Sequence, residues 1–174
     1  IYYAEIRDIT TGCLSATRIP VDAMVTALPL VGGVTAIDST RCGDGTLVLK
    51  VSGSPANTTV DWFAAATGGS PLATGVGGTG VTVNDTTYTT VSHTTGTTPY
   101  YAEVRNITTG CVSSARIQVD AIVNALPSAA GVTPIDSSRC SDGILVLKVS
   151  GLPAGTTVDW FSAATGGSPL ATGV

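Results

Sequence analysis

The sequence predicts an all-β protein built of β-sandwich beads in tandem, one every 98 residues. Three observations carry that expectation. The chain overlays on itself at a single offset: Tyr2 falls on Tyr100, Cys13 on Cys111, Cys42 on Cys140 and Trp62 on Trp160. Of the 76 comparable positions, Ile1/Pro99 through Val76/Val174, 57 are identical, with no insertion or deletion. Short solenoid repeats run to about 20 to 50 residues, whereas a period near 100 is the size of a domain, so each copy is expected to hold its own core. Helix formers at 3.6-residue spacing are missing while β-branched residues are dense. Short stretches of period-2 alternation are closed by Gly, Pro, Asn and Asp.

Within one repeat, GTLVLKVSG (Gly45 to Gly53) sets Leu47, Leu49 and Val51 on one face and Val48, Lys50 and Ser52 on the other. TTVDW then places Val60 and Trp62 on a common side, with Asp61 expected to face solvent. ATGGSPLATG is a turn between strands, since no helix follows it and no Lys-Ser/Thr pair ends it as in a phosphate-binding loop. In PYYAEVRN, Tyr100, Ala102 and Val104 point inward and Tyr101, Glu103 and Arg105 outward. NITTG (Asn106 to Gly110) turns the chain into CVSSARIQVDAIV, which buries Ile117, Val119, Ala121 and Val123 by the same alternation. The expected core is therefore built on Leu47, Leu49, Trp62 and Tyr100, with Trp160 as the counterpart of Trp62 in the next copy. About seven short strands in a repeat, with a core Trp on the third, predict an immunoglobulin-like sandwich.

Boundaries fall at apolar joints that contain proline, TALPLVGGV (Thr26 to Val34) and NALPSAAGV (Asn124 to Val132). Cutting there makes 1–27 the last two strands of a preceding repeat, 28–125 a complete repeat, and 126–174 the first strands of a following one. Half a sandwich exposes both its interior face and its hydrogen-bonding edges, so neither flanking piece closes a core alone. The chain is accordingly expected to be a stretch of a longer repetitive polypeptide. An alternative is that the head piece of one copy accepts the tail piece of another, as in donor-strand assembly, although neither piece contains a counterpart of residues 77–98.

Composition excludes several function classes. Charged residues make up 11% and the net charge is -4, with no basic cluster, which argues against a nucleic-acid partner. No apolar run approaches the roughly 18 residues of a membrane span, so membrane insertion is not expected. His93, the only histidine, sits in a Thr-rich stretch without a nucleophile elbow or acid partner, and is expected to be a surface group. Asp61 and Asp159 belong to no carboxylate cluster. No enzyme activity, metal or cofactor is expected.

RCGDGTLVLKVSG, VDWFAAATGGSPLATG, YYAEVRN and TGCVSSARIQVDAIV, in this order, resemble the Ig-like repeats of very large bacterial surface proteins exported by type IX secretion, among them gliding-motility adhesins. The resemblance covers the whole chain. It implies a cell-surface or secreted stalk or adhesive filament with no catalytic activity in the repeat, and it brings no ligand residues with it. In bacteria of that kind O-linked sugars are attached to Ser or Thr after Asp, making Ser39 and Thr86 candidates, expected on loops or edges. Asn57, Asn84 and Asn106 meet the N-x-[ST] pattern.

Two cysteines per repeat, with no C-x-x-C or His pair, fit disulfides in an oxidising compartment better than a metal site. Within the complete bead the candidate pair is Cys42 with Cys111, leaving Cys13 and Cys140 to partners outside the chain; closing about 70 residues contributes about 3 to 5 kcal/mol on the chain-entropy model. An ordinary immunoglobulin-like topology sets these two turns at opposite poles, beyond the roughly 7 Å that a disulfide spans between Cα atoms. Two alternatives stay open: a staple between adjacent beads, and pairing of Cys13 with Cys42 and Cys111 with Cys140 across each joint.

Two functions compete. The first is a structural stalk or adhesive filament whose partners are neighbouring repeats in the chain and chains associated laterally or head to tail. The second is a carbohydrate-binding module, which needs two or three exposed aromatics on one face. Aromatics are only 5%, and Phe63, Tyr88 and Tyr101 alone are expected to stand free of the core, which favours the stalk. With Pro29 and Pro127 stiffening the joints, an array is expected to be an extended rod of about 40 Å per repeat.

Overall fold

The computed structural model describes residues 1–76 and 85–173. Every regular element among them is a strand, and the chain divides into two units, Ile1–Asn124 and Ala125–Val174. The first unit begins with an antiparallel hairpin of β1 (Tyr2–Ala4) and β2 (Ile19–Val21). A sandwich follows, with strands β3 (Thr35–Ile37), β4 (Ser39–Cys42), β5 (Val48–Ser52), β6 (Thr58–Phe63), β7 (Ala73–Val76), β8 (Asp85–Thr89), β9 (Gly96–Asn106) and β10 (Ile117–Asn124). One sheet has the order β3-β5-β8 and the other β4-β10-β9-β6-β7. All neighbours are antiparallel except β4 and β10, which run parallel. The first strand of the bead is thus split between the sheets: β3 pairs with β5 and β4 with β10. At the crossover the Asp38 carboxylate accepts the Asp120 N–H at 2.8 Å. The second unit holds one antiparallel pair, β11 (Thr133–Ile135) and β12 (Lys148–Ser150), and an isolated bridge between Trp160 and Ala171.

The alternation legible in the sequence builds the core. Leu47, Leu49 and Val51 from β5 and its approach meet Val60 and Trp62 of β6, Tyr100, Ala102 and Val104 of β9, and Val119, Ala121 and Val123 of β10 in one buried cluster. Each fully buried Val or Leu contributes about 1.5 to 3 kcal/mol from apolar area removed from water. Trp62 lies at the centre, with the Tyr88 ring stacked on it at 5.6 Å. Strand β6 departs from alternation, because all six of its residues are buried. It runs between β9 and β7, and its outer face is covered by arginine side chains. Asp61, expected in solvent, is consequently buried.

Identical residues in incomplete surroundings act as an internal control. Tyr100 is 5% exposed and its counterpart Tyr2 70%; Leu49 is 0% exposed and its counterpart Leu147 59%. Trp160, expected as a core residue, is only half buried, because the second unit has no strands equivalent to β9 and β10 to close over it. Strand length follows the same rule. Residues 99–106 of β9 and Ile117–Asn124 of β10 are strand at all eight positions each, while their counterparts, residues 1–8 and 19–26, form β1 and β2 over only three each.

Turns, by contrast, are reproduced nearly atom for atom. The Asn106 side chain accepts N–H bonds from Thr108 and Thr109 at 2.9 Å each, and Asp8 accepts them from Thr10 and Thr11 at 2.8 Å each. The Thr11 and then the Thr10 N–H hold the Asp8 carboxyl below its ordinary pKa. Ser113 and Ser15 brace the two hairpins alike, each accepting from the strand two residues before the turn, at Val104 and Ile6 respectively. These turns are local devices that need no sandwich around them.

Candidate functional site

Register sorts the loops of the complete bead into two poles. At the entry pole Thr35 lies opposite Ser52, Thr58 opposite Asn106, and the Ile107 N–H bonds the Asn57 carbonyl at 3.1 Å. The start of β3, the β5–β6 turn and the β9–β10 turn therefore meet there. At the exit pole Asn124 lies opposite Cys42, the Gly43 N–H bonds the Asn124 carbonyl at 2.9 Å, and Gly45 bridges His93. The chain enters the bead at one end and leaves it at the other.

The two cysteines of the complete bead divide between these poles, and all four thiols of the chain are free. Cys42 ends β4 at the exit pole. The Cys111 carbonyl accepts the Asn106 N–H at the entry pole. Ten residue steps of β9 separate Gly96, opposite Val123, from Asn106, about 33 Å at about 3.3 Å per residue. The pairing of Cys42 with Cys111 within one bead is therefore corrected: the separation is several times what a disulfide spans. The Cys111 sulfur lies 3.3 Å from the Thr26 hydroxyl. Hydrogen bonds from the Thr109 and then the Thr26 side chain lower the Cys111 pKa, raising its thiolate fraction.

On the outer face of β6, Asp61 serves a β-bulge. Val60 pairs with Val76 and Trp62 with Ala73, so β7 carries one extra residue against β6. An extra residue leaves the ladder without a partner for its N–H. Asp61 Oδ1 supplies it, accepting the Gly75 N–H at 2.8 Å and the Arg105 guanidinium at 2.6 Å. The same hydrogen bond recurs in the second unit, where Asp159 accepts the Gly173 N–H at 2.9 Å. Asp61→Ala is expected to cost about 2 kcal/mol in urea unfolding, because the bulge N–H and a partly buried cation lose their acceptor together, with Asp61→Asn costing less. The same change at exposed Asp159 is expected to leave the midpoint unmoved.

Beside the bulge, Arg116 clamps the sheet. Its guanidinium lies 3.3 Å over the Phe63 ring, pairs with Glu103 at 3.1 Å, and donates to the Ala65 and Gly68 carbonyls at 2.7 Å each. A polar cleft of about 400 Å³ opens next to it, lined by Thr67, Ser113 and Ser114 among others. Phe63, expected to stand free, is buried under this arginine, and Tyr88 is taken up by Trp62. Of the three aromatics available to a carbohydrate platform, only half-exposed Tyr101 is left. Sequence reasoning missed both Asp61 and Arg116. The available signal was their retention at the 98-residue offset, as Asp159 and Arg18, in a chain so poor in charge.

His93, expected as a surface group, bonds the Tyr100 hydroxyl through Nε2 at 2.8 Å. Burial, and next the charge of Tyr88, raise the Tyr100 pKa above the ordinary 10.0. A raised folded-state value means stability that is present in full below pH 10.0 and lost as pH rises through the folded value, since the unfolded chain gives up its proton first. Urea midpoints are accordingly expected to hold up to about pH 10 and fall above it, and Tyr100→Phe is expected to reduce that fall.

Neither Trp160 nor Thr86 occupies the place expected of it. Thr86 is buried on β8 opposite Val51, so a sugar there requires the sandwich to open. Ser39 is half-buried at the start of edge strand β4. The Asn57 side chain donates to Thr108 at 2.7 Å and Asn106 is occupied in its own turn, while Asn84 lies outside the described residues. Among the described residues no group of three or more His, Cys, Asp or Glu is placed to hold a metal ion, and no helix is long and apolar enough to cross a membrane.

No curated protein and no solved structure matches the chain. The family described as "Ig-like domain CHU_C associated" matches twice in tandem, over residues 29–125 and 127–174. Two sheets closed around Trp62, a first strand split between them and a matching family pattern across most of the sequence lead to one conclusion: the chain belongs to the CHU_C-associated Ig-like domain family.

Proposed function

We propose that the chain is a structural segment of an extracellular stalk or adhesive filament on a bacterial surface, in which near-identical beads in series set the reach of a binding tip. The observation that supports this reading is the placement of entry and exit at opposite poles of the complete bead, the geometry that beads in series require. The covered Phe63 and Tyr88 count against the carbohydrate-binding alternative. In an array the exit-pole Cys42 of one bead faces the entry-pole counterpart of Cys111 on the next, so a disulfide joins neighbours instead of closing one bead.

Electron microscopy of arrays of this repeat tests the reading. Straight rods that lengthen by about 40 Å per added repeat are expected, from strands near 3.3 Å per residue plus a joint. Freely jointed beads, or specific binding of one polysaccharide on a glycan array that is lost when Tyr101 is changed, overturn it.

A further inference from the structure

We infer that the pairing of β4 with β10 is a shear clamp, the place where the complete bead resists tension applied along the polypeptide. The clamp is a property of the bead by itself and does not depend on the stalk reading.

The bead is joined to the rest of the polypeptide through its first and last strands alone. The first, split into β3 and β4, starts at the entry pole with Thr35 opposite Ser52 and ends at the exit pole with Cys42 opposite Asn124. The last, β10, runs the same way and also ends at the exit pole. Tension between the two ends of the polypeptide therefore draws β4 back towards the entry pole and β10 out through the exit pole. These two strands are direct neighbours and, among the described strands, the one parallel pair. The pull thus lies along their ladder of evenly spaced bonds and is shared by all of them. Had the first and last strands paired antiparallel, their free ends would lie at one pole, where tension opens a ladder one bond at a time.

The clamp is closed at both ends. Its four residue pairs run from Ser39 with Ala121 to Cys42 with Asn124. Before them the Asp38 carboxylate accepts the Asp120 N–H at 2.8 Å, and after them the Asn124 carbonyl accepts the Gly43 N–H at 2.9 Å. Behind β10 a longer ladder of seven pairs ties it to β9, so β4 is the strand that yields. Sliding it also drags Val34 and Ala36 off the core on which they pack. One hydrogen bond is weak, but bonds that must break together raise the barrier, and forced unfolding is governed by the barrier and not by equilibrium stability. The larger sheet has the order β4-β10-β9-β6-β7, which sets the clamp and the Asp61 bulge at opposite edges.

Optical tweezers on the full chain, pulled in two directions, test this. With Cys13→Ser, Cys111→Ser and Cys140→Ser in place, one handle is fixed at the C-terminus and the other either at the N-terminus or at the exposed Cys42 thiol. Pulling from the N-terminus shears the clamp, whereas pulling from Cys42 parts the two strands from their common exit-pole end. The first is expected to open the bead in one step that releases about 300 Å, from about 90 residues at about 3.3 Å each. The second is expected to open it at a several-fold lower force. In the first direction Asp38→Ala is expected to lower the force with little change in urea midpoint, while Asp61→Ala lowers the midpoint and leaves the force unchanged. Equal forces in the two directions, or forces that rank the two variants as their urea midpoints do, overturn the inference. Either result leaves the rods expected in electron microscopy untouched, so the clamp and the stalk reading fail separately.

Discussion

Trp62→Ala is expected to destabilise the bead by about 3 to 5 kcal/mol, against no more than about 0.5 kcal/mol for Trp160→Ala. The two residues sit in the same seventeen-letter block, VDWF(A/S)AATGGSPLATGV, so local propensity cannot separate them. Surroundings do. Trp62 is fully enclosed between the sheets and stacked by Tyr88, and its removal leaves a large cavity lined by Leu49, Val51 and Val104. Such a loss approaches the whole stability of a small domain. Trp160 borders an open cavity and gives up little that water does not already reach. Tryptophan fluorescence during urea unfolding reads both: in the parent one indole signal shifts cooperatively and the other barely moves. The Trp62 indole N–H has no hydrogen-bond partner, so Trp62→Phe is expected to cost much less than Trp62→Ala.

Gly53→Ala ranks second, with an expected cost above about 2 kcal/mol. Gly53 has φ of 76°, and a Cβ built there lies 2.4 Å from the Gly33 carbonyl oxygen, a backbone atom of the joint that leads into β3. Strain and collision therefore act together. Gly110, with φ of 73° and open space around its would-be Cβ, separates them. Gly110→Ala is expected to cost about 1 to 2 kcal/mol, the left-handed backbone penalty alone. Equal thermal shifts for the two variants would contradict the collision. The second repeat has the same contact at Gly151, whose Cβ would meet Gly131, so this tight crossing belongs to the repeat and not to one copy.

Much of the fold was legible because its information is periodic. The 98-residue offset exposed the repeat, and alternation placed Leu47, Leu49, Trp62, Tyr100, Val104, Val119 and Val123 on inner faces. Turn chemistry was equally readable: Asn106 and Asp8 make the same side-chain bonds whether or not a sandwich surrounds them. Alternation has no means, however, of marking what covers an outer face. By alternation Asp61 and Phe63 fall on the face opposite Val60 and Trp62, yet the bulge of β7 and the Arg116 side chain bury them. The Asp before Thr86 likewise says nothing of its surroundings, while pairing with β5 opposite Val51 leaves it buried. Trp160 shows the limit most plainly, since a residue identical to a core residue is no core residue until its partner strands arrive.

The account turns on the sufficiency of 98 residues. A polypeptide of residues 28–125 alone, compared with the full chain by urea unfolding and amide hydrogen exchange, tests it most directly. The expected result is one cooperative transition at the midpoint of the full chain, with the deepest protection on the β6, β9 and β10 amides and Trp62 buried throughout. An isolated segment that is unfolded, or that gains its protection only when residues 1–27 or 126–174 are restored, would contradict the claim that each repeat is a complete sandwich.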